Sequence, residues 1–266
     1  MSRRWRPIER DLRATVGPII AGVDEVGRGP LAGPVVACAV VMPHDRRALP
    51  GIDDSKKLPP AERDRLARLV LRHAVAVGVG AASVREIDRL NVYHATVLAM
   101  RRALARLAVT PDHVVVDGKA IRTLGVRHTA IVGGDACCYS VACASIVAKV
   151  TRDRLMRALA RRHPHYGWER NVGYGTSAHL EGIASAGVTP HHRRSFVPVR
   201  QLSLGLELAA PAMLDVALDT VDDERGHEAV GAGIEIDTSI VSSLESCRSA
   251  GDDRSGAVDD AGDETG

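Results

Sequence analysis

The stretch Gly22-Val23-Asp24-Glu25-Val26-Gly27-Arg28-Gly29-Pro30 places two adjacent carboxylates directly ahead of a Gly-Arg-Gly turn. The apolar run Pro18-Ile19-Ile20-Ala21 leads into it, so the acids are expected where a core strand ends. Ionised carboxylates buried without partners are strongly unfavourable. A divalent cation with oxygen ligands is one group that neutralises them. The glycines let backbone amides approach a ligand closely, and the arginine beside them can meet an anion. Carboxylates, metal and phosphate side by side point to phosphodiester chemistry.

On either side of this block the chain reads as strands followed by alternating helices. Residues 1–16 form a polar, helical lead-in. Residues 19–24 and 35–42, rich in Val, Ile and Ala and separated by Gly/Pro punctuation, are expected as successive strands. Residues 61–74 set Leu66, Leu69 and Val70 at helical spacing after a Pro-Pro start. A short strand at 75–79 and two helical stretches around 84–90 and 92–108 follow. Val114-Val115-Val116 is a continuous apolar run, as in a strand covered on both faces, and it ends in Asp117-Gly118. Residues 129–132 repeat that pattern and end in Gly133-Gly134-Asp135. A long helix over 140–162, another over 176–186 and one helical turn at 190–194 complete the pattern. The fold class is therefore α/β, with a mixed central sheet flanked by helices.

Charge divides the 266 residues sharply. From Ser203 onward there are 16 acids against three arginines and no lysine, so the preceding residues carry an excess of 15 positive charges. A body this basic suits a nucleic-acid binder, although solubility alone explains charge equally well. After residue 205 the chain is acidic, rich in Gly, Ser, Ala and Asp, and without an aromatic residue, which predicts a disordered tail. Cys38, Cys137, Cys138, Cys143 and Cys247 are odd in number and lack paired CxxC spacing. They read as reduced thiols in the cytoplasm rather than a zinc site. Arg3, Arg4 and Arg6 have no apolar segment behind them, so no signal peptide is expected. The longest apolar run, residues 31–42, contains Pro34 and is too short to cross a bilayer.

Asp24-Glu25, Asp117 and Asp135 thus stand at three expected strand ends. Taken singly, Asp117 and Asp135 read as turn acids, where Asp is favoured in any case. Three such ends around one Gly-Arg-Gly loop favour a shared site. Four carboxylates on one sheet edge can hold two divalent ions about 3.5–4 Å apart for in-line phosphoryl displacement. No Ser-His or Cys-His nucleophile is evident.

The block 22–30 resembles the signature of the type 2 ribonucleases H (the ribonuclease HII family). Further blocks fall in that family's order: Asp54-Ser55-Lys56-Lys57-Leu58, Leu90-Asn91 with His94-Ala95, Val116-Asp117-Gly118 and Gly134-Asp135. Residues 144–153, Gly173-Tyr174-Gly175-Thr176 with His179, and His191-His192-Arg193-Arg194-Ser195-Phe196 follow, so the similarity spans about residues 17–200. The resemblance implies an RNase H-like fold with an added C-terminal helical segment. It also implies cleavage of RNA within RNA–DNA hybrids and incision 5′ of single ribonucleotides in duplex DNA, leaving 3′-hydroxyl and 5′-phosphate ends. Asp24, Glu25, Asp117 and Asp135 would be the catalytic, metal-binding acids, with Mg²⁺ or Mn²⁺ suited to all-oxygen ligands. Gly27-Arg28-Gly29 would inspect the ribonucleotide 2′-OH, the group that marks RNA at one position. Tyr174 would stack on the next deoxynucleotide's sugar, and Lys56 and Lys57 would touch the phosphate backbone.

Smaller expectations accompany these. The 191–194 run reads as a capped structural turn rather than a phosphate clamp, Asp153 as half of an ion pair with a neighbouring Arg, and His94 and His179 as scaffold. Val172 stands where the family commonly has lysine, which would weaken one phosphate contact. Three segments result: 1–16 lead-in, 17–202 catalytic domain, and 203–266 acidic tail with an unknown partner or a fold-back role. A monomer is expected. Two rivals fit less well. A type 3 ribonuclease H usually has an extra N-terminal domain, and a non-catalytic hybrid-binding protein would be favoured by a missing acid.

Overall fold

The computed structural model describes residues 5–204; the expected disordered tail falls almost wholly outside them. Helix α1 (Ile8–Val16) precedes strands β1 (Ile20–Val26) and β2 (Val35–Val41). Helix α2 (Pro60–His73), β3 (Ala76–Ala82) and α3 (Val84–Ala105) follow, then β4 (His113–Asp117) and β5 (His128–Ile131). The remaining helices are α4 (Gly134–Cys137), α5 (Tyr139–Arg162), α6 (Trp168–Asn171), α7 (Ser177–Ala186) and α8 (Val197–Ser203). The five strands form one sheet in the order β3-β2-β1-β4-β5. β1, β2 and β3 are antiparallel neighbours, whereas β1–β4 and β4–β5 are parallel, so the sheet is mixed.

Alternation along the strands sorts side chains between two covered faces. Ala21, Val23, Ala37, Ala39, Val114 and Val116 pack against Ile87, Ala95, Ala99 and Met100 of α3. Cys38 and Val40 face α2 and α5, and Ile20 and Val115 meet Cys138 and Val141. With helices on both sides, β2 is buried at every position, which is why Val-Val-Ala-Cys-Ala-Val-Val shows no polar alternation. Helix α5 passes so close to β1 that a Cβ at Gly22 would overlap Ser140. Among the described residues no helix is long and apolar enough to cross a membrane.

Several expectations shift in detail. β1 continues through Glu25 to Val26 instead of ending at Asp24, because Glu25 and Val26 still pair with Ala37 and Val36. The two helices expected around 84–108 join at Asn91, whose φ of 67° kinks the chain and whose side chain caps Tyr93 and His94 N–H. A capping box of Ser83 and Glu86 starts this helix. Asp135 lies on α4 rather than at a strand end. Residues 190–194 form no helical turn; His192 bridges Ala32 there and Arg193 N–H bonds Leu31 O, so tertiary pairing takes those backbone groups.

Candidate active site

Asp24 and Asp117 meet because β1 and β4 are parallel neighbours. Val23 stands opposite Val116, so the residues that follow each lie level at one sheet edge. Both point to the α5 face by strand alternation. β5 pairs Ile131 with Asp117, and α4 then carries Asp135 back over that edge. One carboxylate oxygen each from Asp24, Asp117 and Asp135 lies within 4.8 Å of the others. Glu25, next to Asp24 in a continuing strand, takes the opposite alternation and pairs with Arg28 at 3.3 Å. The structure therefore gathers three of the four expected acids into one cluster, with Glu25 beside it.

The site is costly without a cation. Burial pushes the Asp24 carboxyl well above the usual range, and the charges of Glu25 and Asp117 push it further. Glu25 is also raised, chiefly by burial and then by Asp117, with Arg28 pulling back. Asp135 is raised by burial, Asp117 and Asp54, while Lys56 lowers it. No described cation forms an ion pair with any of the clustered aspartates. Three half-buried to buried carboxylates without an ion-pair contact among the described residues, all with hard oxygen donors, fit a divalent ion. Two of them are oriented by backbone donors, Glu25 N–H to Asp24 Oδ1 at 2.7 Å and Gly134 N–H to Asp117 Oδ1 at 2.7 Å, and the nearby Ser145 hydroxyl favours the charged form of Asp24.

Ser145 also bonds Ser55 at 2.9 Å, which ties the Asp54–Lys57 loop to the acid cluster. Lys56 and Lys57 are both exposed. Lys56 is close enough to influence Asp135, whereas Lys57 has no such link to the acids.

The Gly27–Gly29 turn is held from beneath by two fully buried arginines. Arg193 donates to Gly27 O at 2.5 Å, to Arg28 O at 2.7 Å, and to Gly33 O at 3.0 and 2.8 Å. Arg152 donates to Pro34 O, Val172 O and Ala32 O at 2.9–3.0 Å. Gly27 has a φ of 91° and packs so tightly on Arg152 that no side chain fits. Arg28 keeps a buried Nε with no hydrogen-bond partner.

Tyr174 lies beside this turn, its ring exposed by 45 % and its Cε1 3.7 Å from where a Gly29 side chain would begin. Its carbonyl accepts from His179 Nδ1 at 2.8 Å. His179 Nε2 in turn accepts from Trp168 at 3.0 Å, with His192 Nε2 3.1 Å from the same nitrogen, and His192 Nδ1 accepts from Thr189 N–H at 2.9 Å. Both imidazoles are neutral in this chain of contacts; burial and then the neighbouring His179 hold His192 down at about 3. Asp153 pairs with Lys149 at 2.8 Å and Arg63 at 3.4 Å, and His94 is exposed. Val172 sits at a φ of 44°, unusual for a β-branched residue, with its carbonyl held by Arg152.

The blocks 144–153 and 191–196 single out Ser145, Arg152 and Arg193 as stretches but not the partners of each. A serine within an Ala-rich helix and arginines in a basic chain look ordinary until their partners converge.

Residues 21–199 match the family model described as Ribonuclease HII. The chain is 56 % identical over 204 residues to a ribonuclease HII of Granulibacter bethesdensis, covering 75 % of this chain and 93 % of that one. It is 56 % identical over 179 residues to a ribonuclease HII of Thermosynechococcus vestitus, covering 67 % and 83 %. Among solved structures, the ribonuclease H2 of Pyrococcus horikoshii superposes with a TM-score of 0.60 at 26 % identity, covering 70 % of this chain and 98 % of that one.

Proposed function

Because the chain belongs to the ribonuclease HII family and is a ribonuclease H, we propose that it cuts the RNA strand of RNA–DNA hybrids and incises duplex DNA 5′ of an embedded ribonucleotide. The products would be 3′-hydroxyl and 5′-phosphate ends, and the role would be removal of ribonucleotides from DNA. The observation that carries this reading is the convergence of Asp24, Asp117 and Asp135 beside a turn that exposes backbone and an arginine.

Those three aspartates, with Glu25 adjoining, would hold Mg²⁺ or Mn²⁺. When bound, such ions lower the pKa of water and stabilise a departing oxygen. The chain's own residues do the rest. The Glu25 and Gly134 amides aim the Asp24 and Asp117 carboxylates inward. The partly exposed Arg28 guanidinium offers a cation to phosphate. The Gly27–Gly29 backbone approaches the ribose 2′-OH, and the exposed Tyr174 ring stacks on the following deoxyribose. Lys56 and Lys57 supply salt-sensitive backbone affinity.

The deciding assay compares duplex DNA carrying one ribonucleotide, all-DNA duplex and a long hybrid, with Mg²⁺ and Mn²⁺ in turn. Incision 5′ of the ribonucleotide, sparing of the all-DNA duplex, and a silent Asp24→Asn variant that still binds hybrid are expected. Failure on both RNA-containing substrates with both metals refutes the proposal.

A further inference from the structure

We propose that Glu9 is a positioning residue for Asp135, acting from α1 through the α4–α5 junction. Glu9 is buried although it is charged and lies on a short amphipathic helix. Its Oε1 accepts the Ser140 N–H at 2.7 Å and the Cys138 thiol at 3.0 Å, and its Oε2 accepts from Arg13 at 3.2 Å. Ser140 lies in the first turn of α5, where backbone N–H groups lack helical partners. Cys138, the residue capping α5, makes no cap of its own. A carboxylate from a distant helix therefore does the capping, with the favourable sign for a helix N-terminus.

Three further contacts align with it. Arg6 N–H bonds Cys137 O at 3.0 Å, the Trp5 ring meets Tyr139 at 5.5 Å, and Leu12 packs with Cys138 and Val141. Between them lies α4, only four residues long, which holds Asp135. On its other side Gly134 N–H is fastened to Asp117. α1 thus fixes one end of the α4 turn and Asp117 the other. Release of the Glu9 end frees the backbone that sets where the Asp135 carboxylate points. Groups around a metal ligand commonly change affinity in this way without touching the metal.

This inference rests on the reading of Asp24, Asp117 and Asp135 as metal ligands. The test is direct Mn²⁺ binding by electron paramagnetic resonance of free Mn²⁺, on the full chain, with folding checked by circular dichroism. Glu9→Ala is expected to raise the Mn²⁺ Kd about tenfold. Ile183→Val, a core truncation in the cluster around α7, serves as the stability control and should leave Kd unchanged. At saturating Mn²⁺ the Glu9→Ala variant should keep the wild-type KM for substrate, because the Gly27–Gly29 turn and Tyr174 are untouched. A folded Glu9→Ala variant with wild-type Kd overturns the inference. Should that variant not fold, Glu9→Gln decides: a rise of about threefold or more supports the inference, and a smaller one overturns it. Wild-type protein that binds no Mn²⁺ would overturn the metal-site reading and this inference together.

Discussion

Replacing Arg193 by methionine separates packing from recognition at the Gly27–Gly29 turn. Arg193 is fully buried, and its four hydrogen bonds all go to backbone carbonyls of Gly27, Arg28 and Gly33. Burial, and then the nearby Arg152 charge, pull its pKa down to about 9 from 12.5, which corresponds to roughly 5 kcal/mol against the charged form. Hydrogen bonds from a charged donor contribute about 1.5–3 kcal/mol each, so four of them offset that cost with a modest margin. Methionine relieves the charge burial and loses the bonds, leaving three carbonyls without a donor at about 1–3 kcal/mol apiece. Water at the outer edge of the turn spares part of this, and the net expectation is a loss of about 3 kcal/mol, or about 6–12 °C in Tm for a domain of this size. Lysine restores charge but not the fork that spans three carbonyls, so Arg193→Lys should recover less than half of the loss. Thermal melts give the stability. Parallel cleavage assays give the ratio of kcat/KM on single-ribonucleotide duplex to that on long hybrid, which should fall as the turn loses its registry. An Arg193→Met protein with unchanged Tm and unchanged ratio would show that the carbonyl scaffold does not set the turn.

Three other outcomes are expected. Gly27→Ala should destabilise by about 2–4 kcal/mol in urea titration, since the methyl meets Arg152 and φ is 91°; a loss below about 0.5 kcal/mol contradicts the packing. His192 is neutral in the fold at about 3 but ionises near 6.5 when unfolded, so its contribution is complete above pH 6.5 and is lost as pH falls toward 3, at about 1.4 kcal/mol per pH unit. His192→Gln should flatten the pH dependence of stability between 6.5 and 5.5, and an equal slope in both proteins sinks this account. Mn²⁺ at 100 times Kd should stabilise by about 2.7 kcal/mol and raise Tm by about 5–11 °C. Asp135→Asn should lose most of that rise; wild-type protein whose Tm ignores Mn²⁺ refutes a metal site at the three aspartates.

Strand and helix identities were largely legible along the described chain, because apolar runs such as Val114-Val115-Val116 admit few readings once both faces are covered. The 190–194 stretch is not a helical turn because its backbone partners, Ala32 and Leu31, lie about 160 residues away in sequence. Gly133-Gly134 punctuates the run and suggests a strand end at Asp135, whose four-residue helix is instead held by Asp117 on one side. No local pattern announces such a helix, since isolated short helices are unstable and depend on tertiary contacts.

Residue order alone sets which groups are on offer: adjacent acids before a Gly-Arg-Gly turn, further acids after apolar runs, and a tyrosine in a Gly-Tyr-Gly turn. It also determined the mixed α/β character, through the period of its apolar residues. The gathering of Asp24, Asp117 and Asp135 into one cluster, with Glu25 beside it on Arg28, came from the packing of the strands. The parallel register of β1 and β4 sets Asp24 and Asp117 level on one face, and β5 with α4 returns Asp135 over them. Tertiary structure alone also set Arg193 under the turn and Glu9 at the start of α5, because both act on backbone groups far away in sequence.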